Sequence, residues 1–99
     1  MIRLRCGTIL LDNFLAHLAE HALEHPDAAE RVVTLEYVKC IEGERAGQQW
    51  ARLGSTYRRG LPEDCLFEID GLTLCMSPQT QQGLRDKWID HRDGELVVG

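Results

Sequence analysis

The chain has 99 residues, 43% of them hydrophobic, and sixteen Asp and Glu set against eleven Lys and Arg give a net charge of -5. This is the composition of one ordinary domain spanning residues 1–99, too small to hold two cores. The acid surplus argues against general binding to nucleic acid or to anionic membrane, both of which need a positive surface to displace counterions.

The chain opens with MIRLRC, in which Ile2, Leu4 and Cys6 alternate with Arg3 and Arg5, so a short strand is expected before Gly7 and Thr8 break it. Asp12 and Asn13 interrupt the apolar start, so no cleavable signal layout is read there. Nor does any apolar run reach the roughly 18–20 residues of a membrane helix, and a cytoplasmic protein is expected. Leu11, Phe14, Leu15, Leu18 and Ala22 recur at helical spacing, with Asp12 or Asn13 placed to cap the first turn and Pro26 to end the helix near residue 25. Asp27 to Glu30 has the form of a capping box for a single turn.

RVVTLEYVKCI, from Arg31, is rich in β-branched and aromatic residues, with Val33, Leu35, Tyr37 and Ile41 on one face of a strand. EGERAG is a turn, and QQWARLGSTYRR is a second extended segment, weakened or bulged at Gly54, that closes a hairpin. DCLFEIDGLTLCM is a clearer hairpin, because Asp70-Gly71 is a preferred two-residue type I′ turn. Ser77 then caps a short helix with Pro78 at its first position, and IDHRDGELVVG ends the chain as strand and turn. The order defines an α+β fold: a mostly antiparallel sheet or sandwich with one N-terminal helix and one short helix.

Three groups of residues are candidates for function. His17, His21 and His25 stand four apart along the border of the helix's apolar face. Histidines at i and i+4 chelate metals, which makes His17 and His21 weak metal candidates. Three along one helix drift by about 40° per step and do not converge, however. Glu20 and Glu24 lie beside them, and a solvated border is the expectation. Cys6, Cys40, Cys65 and Cys75 form no CxxC and no cysteine-histidine cluster, and read as reduced, mostly buried thiols. Across the Asp70-Gly71 turn, Cys65 faces Met76 and Leu66 faces Cys75, which points the two thiols to opposite faces of the hairpin. No GxSxG, phosphate loop or HExxH is present, so no catalytic residue is assigned. Last, Arg45, Arg52, Arg58 and Arg59 are interleaved with Trp50 and Tyr57, a mixture suited to docking an acidic partner or a nucleic acid strand. The alternative is that Trp50 packs in the core while the arginines pair with the surplus carboxylates.

Residues 61 to 90 carry a further pattern: Pro62-Glu63-Asp64, Phe67-Glu68, Gly71, the apolar run Leu72 to Met76, Ser77-Pro78 with Leu84, and Ile89-Asp90. This order resembles the HesB-like family of A-type iron-sulfur carriers, and residues 2 to 46 follow that family's opening plan in outline. Members of the family hold iron or a cluster through one cysteine in a glycine-rich turn and a Cys-Gly-Cys near the C-terminus. Counting back from Gly71 places the first at Gly47, and this sequence ends at ELVVG before the second, so none of the three ligands carries over. The expectation is therefore a non-enzymatic HesB-like domain with no cofactor that acts through protein contacts as an accessory or assembly factor, and the aromatic and basic segment Trp50, Arg52, Tyr57, Arg58 and Arg59 is the expected contact surface. A homodimer is compatible with that reading. A carrier with non-standard ligands, the histidines or cysteines shared across a dimer, is the alternative.

Overall fold

The structure is a computed structural model that describes residues 1–24 and 30–99. It is α+β, with two four-stranded sheets enclosing one apolar core. The first sheet has the order β1-β2-β7-β8 and the second β4-β3-β6-β5. β1 (Ile2–Arg3) and β2 (Ile9–Leu10) precede α1 (Asp12–Leu23), which crosses from the first sheet to the second. There β3 (Arg31–Lys39), β4 (Gln49–Tyr57), β5 (Leu66–Ile69) and β6 (Leu72–Cys75) follow, with a 3₁₀ turn at Glu63–Cys65 before β5. The chain returns through α2 (Pro78–Gly83) to β7 (Trp88–Arg92) and β8 (Glu95–Val98).

Helix α1 buries Phe14 and Leu18 completely, and Leu15 and Ala22 pack at the core's edge, as their spacing predicts. Its N-cap is Leu11, with no side-chain cap, because Asp12 instead pairs with the N-terminal ammonium group. Helix α2 begins as expected: Ser77 Oγ accepts from the Thr80 N–H at 3.2 Å and Pro78 fills the first turn. The anticipated capping box at 27–30 and His25 lie at or within residues 25–29, outside the described residues apart from Glu30.

The long hairpin pairs Arg31 with Tyr57 through to Lys39 with Gln49 without interruption, so the bulge expected at Gly54 is absent. Glycine is there for space: a Cβ on it would stand 2.9 Å from Thr34 Oγ1 across the pair. Val33 and Leu35 face the core as predicted, but Ile41 lies beyond the strand and is exposed. In the short hairpin Ile69 pairs with Leu72, Phe67 with Leu74 and Leu66 with Cys75, and Asp70 (φ 47°) and Gly71 (φ 84°) form the two-residue turn read from the sequence. Gly71→Val puts a β-branched side chain into left-handed backbone and should cost about 1–3 kcal/mol. A thermal melt checks this, and a midpoint equal to wild type refutes the turn's role.

Two strands were not read from the sequence. β2 is only two residues long and runs parallel to β7, Ile9 beside Trp88 and Leu10 beside Ile89, and β8 pairs back on β7 through a second Asp-Gly turn at Asp93-Gly94. Two parallel pairings, β2 with β7 and β3 with β6, make both sheets mixed. Within β7, Ile89 is wholly buried in the core and Asp90 is buried beside it. Burial alone would raise the Asp90 carboxyl, but Arg92 Nε at 2.6 Å and the His91 N–H at 2.8 Å outweigh it and hold the group below the ordinary carboxylate range.

The two sheets are joined by a polar network. Gln49 Oε1 accepts from Tyr37 OH at 2.6 Å and from Lys87 Nζ at 2.8 Å, while Gln49 Nε2 donates to the Val98 carbonyl at 3.0 Å. Lys87 Nζ also donates to Tyr37 OH at 3.0 Å. Tyr37 of β3, Lys87 just ahead of β7 and Val98 of β8 thus converge on the side-chain amide of Gln49 in β4.

Candidate functional site

β4 ends the second sheet and β8 ends the first, and between them lies a groove of about 450 Å³. Its wall is the β4 run Trp50, Ala51, Arg52 and Leu53, its far side Gly94 to Leu96, and its floor carries His17 and His21 of α1. The backbone direction of β4 follows from the ends of the hairpin. Cys40 N–H donates to Gln48 O at 2.9 Å and Arg58 N–H to Glu30 O at 2.7 Å, so even-numbered residues of β4 exchange bonds with β3. The N–H and C=O groups of Ala51, Leu53 and Ser55 therefore point toward the open side of the sheet.

Trp50 is not in the core: it is 42% exposed at the lip of the groove, paired across the strands with Val38, itself 44% exposed. Arg52 pairs with Glu36 one step along the same face, so here the arginine does offset a surplus carboxylate. The structure thus divides the aromatic and basic segment in two. Trp50 and Arg52 belong to the groove. Tyr57, Arg58 and Arg59 sit at the opposite end of β4, where with Glu30 they line a separate open cavity. At that end Arg31 lies 4.8 Å above the Tyr57 ring, and Arg58 is held by Glu68 and Thr73. Arg59 is exposed and Arg45 lies in the exposed loop between β3 and β4.

The histidines depart from the solvated border expected of them. His17 is half-buried and stacks on His91 of β7, ring centroids 3.9 Å apart and planes 5° from parallel. His21 Nε2 lies 3.3 Å from the Gly54 carbonyl of β4. Burial, and after it the neighbouring His91, lowers the His17 imidazole below its ordinary value against the pull of Glu20. His91 could not be chosen from the sequence, since only the pairing of α1 against β7 brings it there. Among the described residues no group of three or more His, Cys, Asp or Glu side chains is placed to hold a metal ion, and parallel stacked rings cannot both aim a ring nitrogen at one ion.

Folding lowers the His17 pKa, so the unfolded chain binds the proton more readily and stability falls as pH drops below about 6.5. His17→Ala should remove the stack, costing about 0.5–1.5 kcal/mol at pH 7.5, and flatten that dependence. Melting midpoints of both proteins between neutral pH and pH 5 check it; parallel curves would deny the stack any role.

The cysteines are also redistributed. Cys40 stands at the mouth of the long hairpin, its carbonyl accepting from Gly47 N–H at 2.7 Å and its thiol directed to Glu42 O at 3.1 Å. Cys6 lies near Thr8, 3.4 Å from sulfur to hydroxyl. Cys65 and Cys75, expected on opposite faces, line one cavity instead. The reason is local: Cys65 ends the 3₁₀ turn, whose helical backbone takes its side chain off the strand alternation. Among the described residues no single place gathers the thiolates that a cluster needs. Among the described residues no helix is long and apolar enough to cross a membrane. Compared with known proteins, the chain matches no protein-family model and no curated protein.

Proposed function

We propose that this protein is a non-enzymatic, HesB-like domain that works by taking up an extended segment of a protein partner along the open edge of β4. The observation that carries the reading is the groove between the edge strands of the two sheets, with the backbone groups of Ala51 and Leu53 directed toward it and Trp50 at its lip. An added strand would satisfy those backbone groups, and the indole would supply the rigid apolar contact in which protein interfaces are enriched. Arg52, already balanced by Glu36, offers the partner's carboxylates a bidentate fork at the cost of an exchange between acids. Tyr57, Arg58 and Arg59 extend the contact for a partner long enough to run the length of β4.

The test is a photoreactive amino acid placed at Trp50 in cells, with Arg85, which lines a different cavity beside Arg3 and Gly7, as the control position. A defined adduct with a second protein at position 50, lost when Ala51→Pro removes one edge N–H, is the expected result. Adducts indistinguishable from those at position 85 would sink the reading, and adducts only with this same chain would make the occupant a second copy.

One observation favours the carrier alternative: Cys40 is bonded through its backbone to Gly47, the position where the resemblance expects a ligand cysteine. A single thiol per chain would have to be completed by a second copy. Anaerobic reconstitution with iron and sulfide distinguishes the readings, because stoichiometric iron abolished by Cys40→Ser would replace the docking role with a carrier role.

A further inference from the structure

We propose that Cys65 and Cys75 form a covalent modification site: a dithiol that closes to an intramolecular disulfide on meeting a low-molecular-weight disulfide of the glutathione type. The inference is independent of the docking role and uses neither Trp50 nor the groove.

Both thiols line one cavity of about 560 Å³ on the outer face of the second sheet, walled by Thr34, Thr56, Leu61 and Pro62. Their backbones are tied together directly: Leu66 and Cys75 are register partners, and Met76 N–H donates to Cys65 O at 2.9 Å. Cys65 is therefore diagonal to Cys75. A cross-strand spacing of about 4.5–5.5 Å and a rise of about 3.4 Å per residue set their Cα atoms about 5.5–6.5 Å apart. That lies inside the range of about 4.4–6.8 Å that disulfides span. Both side chains reach the same cavity because Cys65 ends the 3₁₀ turn and leaves the strand alternation, and the Cys75 thiol is raised first by burial and then by the proximity of Cys65. The environment favours neutral sulfur over thiolate at both positions, which slows exchange at neutral pH and makes the uncharged disulfide a suitable end state for an apolar wall.

Exposure sets the order of events. Cys75 is half-buried and Cys65 is 6% exposed, so the incoming disulfide reaches Cys75 first. The Cys75 thiolate attacks one sulfur of oxidised glutathione, forming a mixed disulfide and releasing one glutathione thiolate. The Cys65 thiolate then attacks the Cys75 sulfur, forming the internal bond and releasing the second glutathione. Two protein thiols lose two electrons and two protons, and one glutathione disulfide becomes two glutathione thiols.

The test uses the intact folded protein with oxidised glutathione at mildly alkaline pH, followed by alkylation and tryptic mapping. Cleavage after Arg59 and Arg85 releases both cysteines in one peptide, residues 60–85. That peptide should lose two hydrogens and accept no alkyl group, so the folded protein's free cysteines fall from four by two, and reduced glutathione should restore it. A stable glutathione adduct on this peptide, or two alkyl groups on it while Cys6 or Cys40 has reacted, overturns the proposal. In Cys65→Ser the adduct should accumulate on Cys75 several-fold above wild type, and an adduct level equal to wild type would remove Cys65 as the resolving thiol.

Discussion

Gly83→Val should lower the thermal midpoint by roughly 10–25 °C, the equivalent of about 2–4 kcal/mol in a domain of this size. Elsewhere in a helix, replacing glycine with a side chain helps, because glycine costs up to about 1 kcal/mol in helix propensity. At the last residue of α2 that gain is small, and the space decides the sign. A Cβ on Gly83 would stand 2.6 Å from Tyr37 Cδ2 and 2.7 Å from Cε2. The ring cannot swing away freely, since its hydroxyl is engaged by Gln49 and Lys87. Moving it disturbs the network that connects both sheets, adding about 1 kcal/mol for each hydrogen bond lost to the overpacking itself. A double-mutant cycle isolates the cause. In a Tyr37→Ala background most of the penalty of Gly83→Val should vanish, whereas a penalty of the same size in both backgrounds would place the collision elsewhere.

The residues that govern this network show where sequence reading reaches and where it stops. Tyr37 is legible as a strand residue, and Ser77-Pro78 as the start of a short helix, because each rests on local spacing or capping chemistry. That Gly83 lies under the Tyr37 ring is not legible, because it depends on how α2 packs on β3. The Asp70-Gly71 hairpin was readable in full, register included, since two-residue turns admit one pairing. Asp93-Gly94 carried the same signal, but the apolar run on its N-terminal side, Trp88-Ile89, is short and broken by Asp90, and the second arm of the hairpin was passed over. β2 gave no readable signal at all: two residues pairing in parallel with a strand almost eighty positions later have no local signature. The groove was missed for the same reason. In the sequence His17 and His21 stand apart from Trp50 and Arg52, and only the meeting of α1, β4 and the β8 end makes them one place. Cys65 departs from its expected face because strand alternation stops at Leu66 and the residue belongs to a 3₁₀ turn.

Trp50→Ala should weaken the partner's hold by about 30-fold or more, the effect of losing about 2 kcal/mol at an aromatic hot spot, while leaving the free protein's melting midpoint within a few degrees of wild type. The separation of the two effects rests on position. Trp50 is 42% exposed and outside the core, so its removal uncovers little that folding had buried, and its cross-strand neighbour Val38 is itself solvent-facing. In a complex the same indole would cover the lip of the groove and keep water from the edge hydrogen bonds beneath it, which is where such a side chain gains its weight. Arg58→Glu with Arg59→Glu supplies the contrast. These residues stand at the other end of β4, and Arg58 already pairs with Glu68, so the double reversal should slow association at low salt and abolish its fall with rising salt, with a much smaller change in dissociation rate. Dissociation rates of the photo-captured partner from the three proteins decide the matter. A charge reversal more damaging than the loss of Trp50 would move the docking site from the groove to the Tyr57 end of the strand.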